Sequence, residues 1–124
     1  MILADTDILI AHLRGVTNAY EWLKQARQSG ALVVSALTIA ELTGGMRPSE
    51  RREVWLLLVS LGVEPVTELV ARRAGELMRH YRRDHPGIGF ADYVIAATAE
   101  VKGLTLATLN VRHFPMFQDL QPPF

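Results

Sequence analysis

Met1-Ile2-Leu3-Ala4-Asp5-Thr6-Asp7-Ile8-Leu9-Ile10 opens the chain, and the reading of this stretch decides the fold. A short apolar run climbs to the carboxylates of Asp5 and Asp7, and a further apolar run follows. A buried parallel strand reads as a near-continuous hydrophobic run, and in open α/β sheets active groups gather at the carboxyl ends of strands. Asp5 stands where such a strand would end. A carboxylate at the lip of a core is costly to desolvate unless something pairs with it. Where several carboxylates meet, that partner is usually a hard divalent cation. The stretch therefore raises one question: which other acids in the chain converge on Asp5.

The bulk numbers set the frame. The chain has 124 residues, 49% of them hydrophobic, which suits a single domain spanning 1–124 with a core of its own. No apolar run approaches the ~18 residues of a membrane span, so a soluble protein with no membrane partner is expected. The first residues hold no basic segment, and their acids come too early for a secretory signal. Cysteine is absent, which excludes disulfides, thiolate metal sites and a cysteine nucleophile, and suits a reducing cytoplasm. Thirteen basic and thirteen acidic residues cancel, so net charge does not mark a nucleic-acid binder; only the distribution over one face could do so.

Farther along, Asn18 with Glu21 three residues on has the spacing of a capping box, and Ala19, Trp22, Leu23 and Ala26 fall on one helical face. Ala31 to Ser35 read as a second buried strand. A helix from Ser35 or Thr38 runs to Gly44-Gly45, and another starts at Pro48 with Val54, Leu57, Leu58 and Leu61 as its apolar stripe. Gly62 ends that helix, and Val63 to Val66 form a short, proline-interrupted edge strand. Thr67 opens a long helix with Val70, Ala74, Leu77, Met78 and Tyr81 inward and a row of arginines outward. His85-Pro86-Gly87 breaks it. Phe90 to Lys102 is apolar almost all round and reads as a buried helix stopped by Gly103. A strand over Leu104 to Thr108 and a turn at Asn110 follow. The tail from Phe114 is expected to pack across an edge. Strands alternating with helices point to an α/β sandwich with a mostly parallel central sheet.

Three acids are oddly placed: Asp5, Glu41 in the helix after the second strand, and Asp92 at the start of the buried helix. Each has a local explanation. Glu41 could close a capping box with Thr38, Asp92 could complement the positive end of its helix, and Asp7 could bond its own backbone in a turn. Together they are harder to dismiss. The segment Tyr93-Val94-Ile95-Ala96-Ala97 gives the helix of Asp92 little wet surface on which to place a charge.

Four segments carry a resemblance: Leu3 to Ile10, Ser35-Ala36-Leu37-Thr38-Ile39-Ala40-Glu41-Leu42, Phe90-Ala91-Asp92-Tyr93 through Ala99, and Leu106-Ala107-Thr108-Leu109-Asn110 through Phe114. In this order and spacing the chain resembles the PIN-domain ribonucleases, and by its size the VapC-type toxins of VapBC toxin–antitoxin pairs. The resemblance implies a three-layer α/β/α sandwich and an endoribonuclease dependent on Mg2+ or Mn2+. Its catalytic and metal-binding acids would be Asp5, Glu41 and Asp92, with Thr6, Asp7, Thr108 and Asn110 in support. Many members carry a further acid where this chain has Asn110, a departure that bears on whether a second ion is held. The implied chemistry is hydrolysis of an RNA phosphodiester, in which the ion lowers the pKa of a water and offsets charge developing on phosphorus. The resemblance also implies a cognate VapB-like antitoxin and a homodimer.

Substrate binding needs cations. Arg72, Arg79 and Arg83 could be a solvated helix face or, with Arg47, Arg112 and His113, a phosphate track beside the acids. His85 and His113 are candidates for proton handling, though a metal mechanism requires no histidine base. The run around Trp55, within Arg47 to Leu61, could line a groove for a partner or belong to the core. Two rival readings stand beside the nuclease. Asp5-Thr6-Asp7 resembles the nucleophile motif of haloacid-dehalogenase-type phosphatases. That chemistry wants a nearby lysine and a late acidic pair, and the chain has only Lys24 and Lys102 and no such pair between Gly103 and Gln118. Asn110 also admits a PIN-fold binding module with a degenerate site.

Overall fold

In the computed structural model, which describes residues 1–124, Ile2–Ala4 forms strand β1 and Leu32–Ser35 forms β2 at the centre of a sheet. β3 (Gly62–Glu64) and β4 (Thr105–Ala107) are the edges, in the order β3-β2-β1-β4, and every pairing is parallel. The expected mostly parallel sheet is thus wholly parallel. The register sets Ile2 opposite both Leu32 and Thr105. Successive strand residues point to opposite faces, so Leu3, Val33 and Leu106 enter one core while Ala4, Leu32, Val34 and Ala107 enter another.

The helices divide accordingly. α1 (Thr6–Leu13), α2 (Thr17–Gln28), α3 (Ala36–Gly45) and α4 (Arg51–Val59) cover the second face through Ile8, Leu9, Leu23, Leu42, Val54 and Leu57. α5 (Glu68–Tyr81) and α6 (Phe90–Lys102) cover the first, with Val70, Ala74, Leu77 and Ile95 inward. The result is an α/β/α sandwich of three layers. A right-handed crossover moving one way along the sheet puts its helices on one face, and the return from β3 to β4 puts them on the other. The chain therefore reverses direction between β1 and β4, and the crevice beyond their carboxyl ends is the topological switch point, the usual ligand position in such sheets.

Local chemistry explains most element ends. Thr67 Oγ1 accepts from Val70 N at 3.2 Å to start α5, and Ser35 Oγ accepts from Leu37 N at 3.1 Å to start α3. Gly103, with φ of 65°, stops α6 in the left-handed conformation that glycine adopts without a side-chain clash. Some ends differ from the sequence reading. The Asn18–Glu21 capping box does not form: α2 starts from Val16, whose carbonyl accepts from Ala19 N and Tyr20 N, leaving Asn18 already inside the first turn. Pro48–Glu50 is a 3-10 turn that leads into α4, and Gly62 begins β3. β3 is an edge strand, as expected, but it stops at Glu64 before Pro65 and does not run on to Val66. The tail lies on the α5–α6 side, where Phe114 is buried and Met116, Phe117 and Leu120 pack around it. No helix is long and apolar enough to cross a membrane.

Candidate active site

β1 delivers Asp5 to the switch point, and its backbone conformation makes it the cap of α1: Thr6 N donates to Asp5 Oδ1 at 2.8 Å. β4 delivers Thr108 beside it, and the Thr108 hydroxyl donates to Asp5 Oδ2 at 2.7 Å. Asp7, in the first turn of α1, accepts from Leu109 N at 3.0 Å through Oδ2, which also lies 3.2 Å from the Thr108 hydroxyl. Thr108 Oγ1 in turn accepts from Asn110 N at 3.0 Å. Thus residues 103 positions apart in the chain share one hydrogen-bonded knot. The hydrogen bonds that tie Asp7 in place, from Leu109 N and the Thr108 hydroxyl, come from the far end of the chain.

α3 enters from the other side. Thr6 Oγ1 donates to Glu41 Oε1 at 2.7 Å, which leaves the Thr38 hydroxyl to donate to Thr6 Oγ1 at 2.9 Å. Glu41 therefore makes no capping box with Thr38; both reach across to α1. Thr38, fully buried, belongs to the network although its role was not legible alone. The signal available was its spacing of three from Glu41, one helical turn on the same face.

Asp92 is placed differently. Its Oδ2 accepts from Gly89 N at 3.0 Å, closing the start of α6, and sits 3.1 Å from His113 Nδ1. Its local helix-end role is real, yet its charge still reaches Asp5. The sequence suggests an ion held by Asp5 and Asp92, with Glu41 joining directly or through water. The side chains instead stand with Asp5 joined to Asp7 by one hydroxyl, while Glu41 and Asp92 each keep a bond of their own. No three carboxylates or histidines are close enough together to hold an ion directly.

Burial and mutual repulsion make Asp5 and Asp7 reluctant to ionise. Burial first, and then the Asp7 charge, push the Asp5 carboxyl up from 3.8 to about 7, although Thr108 and Thr6 pull the other way. Burial also raises Asp7, and its Oδ1 is buried without a partner. Carboxylates, hydroxyls and an amide form an all-oxygen donor set suited to Mg2+ or Mn2+. Magnesium binds through one or two carboxylates and keeps several waters. These residues would suit such an ion, with Asp5 the buried carboxylate that would hold it and Glu41 and Asp92 the further acids nearby.

The cationic candidates separate. Arg47 shares a cleft of ≈ 420 Å³ with Glu41 and Arg14, and pairs with Glu50 at 3.5 Å. Arg112 is exposed and precedes His113, the residue that bonds Asp92. Arg72 is held by Glu68 at 2.8 Å on the outer face of α5, as a solvated helix face would be. Arg79 and Arg83 are exposed on or just past that helix. Neither lysine serves a phosphatase: Lys102 ends α6 at the amino ends of the strands, opposite Asp5, and Lys24 lies within α2.

Comparison with known proteins agrees with this architecture. The sequence matches the PIN domain family over residues 2–117. It is 63% identical to Ribonuclease VapC10 of Mycobacterium tuberculosis over 124 residues, covering all of this chain and 93% of that one. A toxin–antitoxin complex from Klebsiella pneumoniae contains a chain of the same fold, with a TM-score of 0.80 at 24% identity over 100% of this chain and 98% of the other. VapBC-1 from nontypeable Haemophilus influenzae superposes with a TM-score of 0.75 at 27% identity over 98% and 96%.

Proposed function

The chain belongs to the PIN-domain family, among its VapC ribonucleases, and from that premise we propose that it is a metal-dependent endoribonuclease acting as the toxin of a toxin–antitoxin pair. The observation that carries the reading is the Asp5–Thr108–Asp7 knot at the β1/β4 switch point: a buried Asp5 with both oxygens held in place, beside an Asp7 whose Oδ1 has no partner. A bound Mg2+ or Mn2+ would activate water and neutralise charge developing at the scissile phosphate. The chain's own residues do the placing. Thr6 and Thr108 fix both oxygens of Asp5, and Thr6 holds Glu41 toward the same site. His113 orients Asp92. Arg47, in the cleft of Glu41, and the exposed Arg112, next to His113, suit RNA phosphates.

An endoribonuclease active on its own cell's RNA needs an inhibitor. The outer side of α4 offers a place for a cognate VapB-like antitoxin: Trp55, Leu56 and Val59 are exposed beside Arg51 and Arg52 around a groove of ≈ 580 Å³. The Val54, Leu57, Leu58 and Leu61 stripe of the same segment is core. Homodimer formation and a cytoplasmic site of action complete the proposal. The deciding assay is RNA cleavage by purified protein with Mg2+ or Mn2+, and with EDTA. Cleavage should require the ion and be lost in Asp5→Asn with the fold intact. Cleavage undiminished in EDTA, or undiminished in Asp5→Asn, would sink the reading.

A further inference from the structure

Asp7 is the acid that the fold does not explain. Its Oδ2 serves Leu109 N and the Thr108 hydroxyl, and an asparagine carbonyl would serve them as well. Thr108 has one hydroxyl proton, and Asp5 Oδ2, at 2.7 Å against 3.2 Å, is the nearer acceptor. The other oxygen, Asp7 Oδ1, is buried and bonded to nothing. A charge so placed opposes folding twice, by its own desolvation and by repelling Asp5. A proton on one of the pair removes that repulsion, and a cation between them turns it into attraction for both charges.

The position is equally telling. Asp7 is bonded to the turn Thr108–Leu109, whose next residue is Asn110, the position at which the family resemblance implies a further acid. Asn110 is exposed, and its side chain makes no hydrogen bond. We propose that Asp7 supplies the fourth negative charge of the metal site, carried by the first turn of α1 instead of by the turn after β4. On this view the departure at Asn110 does not leave the site short of charge; the acid has moved to the element that faces the turn. The inference rests on the metal-dependent reading above.

The test is calorimetric titration of the metal-free full chain with Mn2+, which needs no substrate. Asp7→Asn keeps the acceptor for Leu109 N and loses only the charge. It should fold, by circular dichroism, and bind Mn2+ about tenfold or more weakly. Adding Asn110→Asp to Asp7→Asn should recover most of that loss, which a purely structural role for Asp7 would not allow. Unchanged Mn2+ affinity in Asp7→Asn, or no recovery in the double variant, overturns this inference alone. So does failure of Asp7→Asn to fold, because the carboxylate would then be a structural requirement. A wild-type chain that binds no Mn2+ overturns both this inference and the metal-dependent reading.

Discussion

At Asp5, burial in the folded chain holds a proton that the unfolded chain would have released, since the carboxyl moves from 3.8 to about 7. Between those values folding takes up a proton, so rising pH favours the unfolded state. The stabilisation from this group is complete below 3.8 and is lost as pH climbs through about 7; Asp7 is shifted in the same direction. Metal-free protein should therefore melt at a lower temperature at about pH 7.5 than at about pH 5, and Asp5→Asn should flatten that slope in a series of thermal melts. At the higher pH, Asp5→Asn should also melt above wild type while cleaving no RNA, because it removes an uncompensated buried charge. A divalent ion replaces the proton. At a concentration of about 100 times its Kd, Mn2+ should stabilise the folded wild type by about 2.7 kcal/mol, and Asp5→Asn by far less.

Among the elements, α6 shows how a local signal and a tertiary demand coincide. Its residues Tyr93 through Ala99 are all buried, so the helix is clamped between sheet and α5, and its end must be sharp for β4 to enter the sheet at Thr105. Gly103 supplies that end. A Cβ there would meet nothing within 4 Å, so Gly103→Ala tests backbone strain alone. It should cost about 1–2 kcal/mol in urea denaturation without altering the site. α3 and α1 are coupled through the Thr38–Thr6–Glu41 chain of hydrogen bonds. Thr6→Val should free Glu41, leave the Thr38 hydroxyl without its partner, and lower cleavage more than it lowers stability, as read by kcat and melting temperature side by side.

For the molecule as a whole, balanced net charge conceals a division of labour. Arg14 and Arg47 share the cleft of Glu41, and Arg112 is exposed one residue before the His113 that bonds Asp92, whereas Arg72 and Arg73 are tied up in ion pairs on α5 and beside α6. Charge reversal at Arg112 should weaken RNA binding and lessen its salt dependence, and Arg72→Glu should do neither; KM measured across a salt series distinguishes them. The exposed apolar side of α4 is the surface proposed for the antitoxin. Val59 is 75% and Leu56 57% exposed, more than a solvated helix needs. Leu56→Asp with Val59→Asp should abolish co-purification with the cognate antitoxin and leave cleavage of RNA unchanged.

What residue order settled by itself is local and periodic. The apolar runs of β1 and β2, the stripes of α4 and α5, the all-round burial of α6 and its glycine stop were all legible, because 3.6- and 2-residue spacings follow directly from backbone geometry. Asp5 at a strand end was legible for the same reason. The partners of the acids were not. Glu41 and Asp92 each had a sound local explanation; the structure rejects it for Glu41 and realises it for Asp92, and no spacing distinguishes those outcomes. Asp7 looked like a turn residue until Leu109 and Thr108 arrived beside it from more than 100 positions away. Strand order decided that meeting. Placing β4 against β1 brings two distant strand ends together, and hydrogen bonds between them depend on position in space, which sequence distance does not encode.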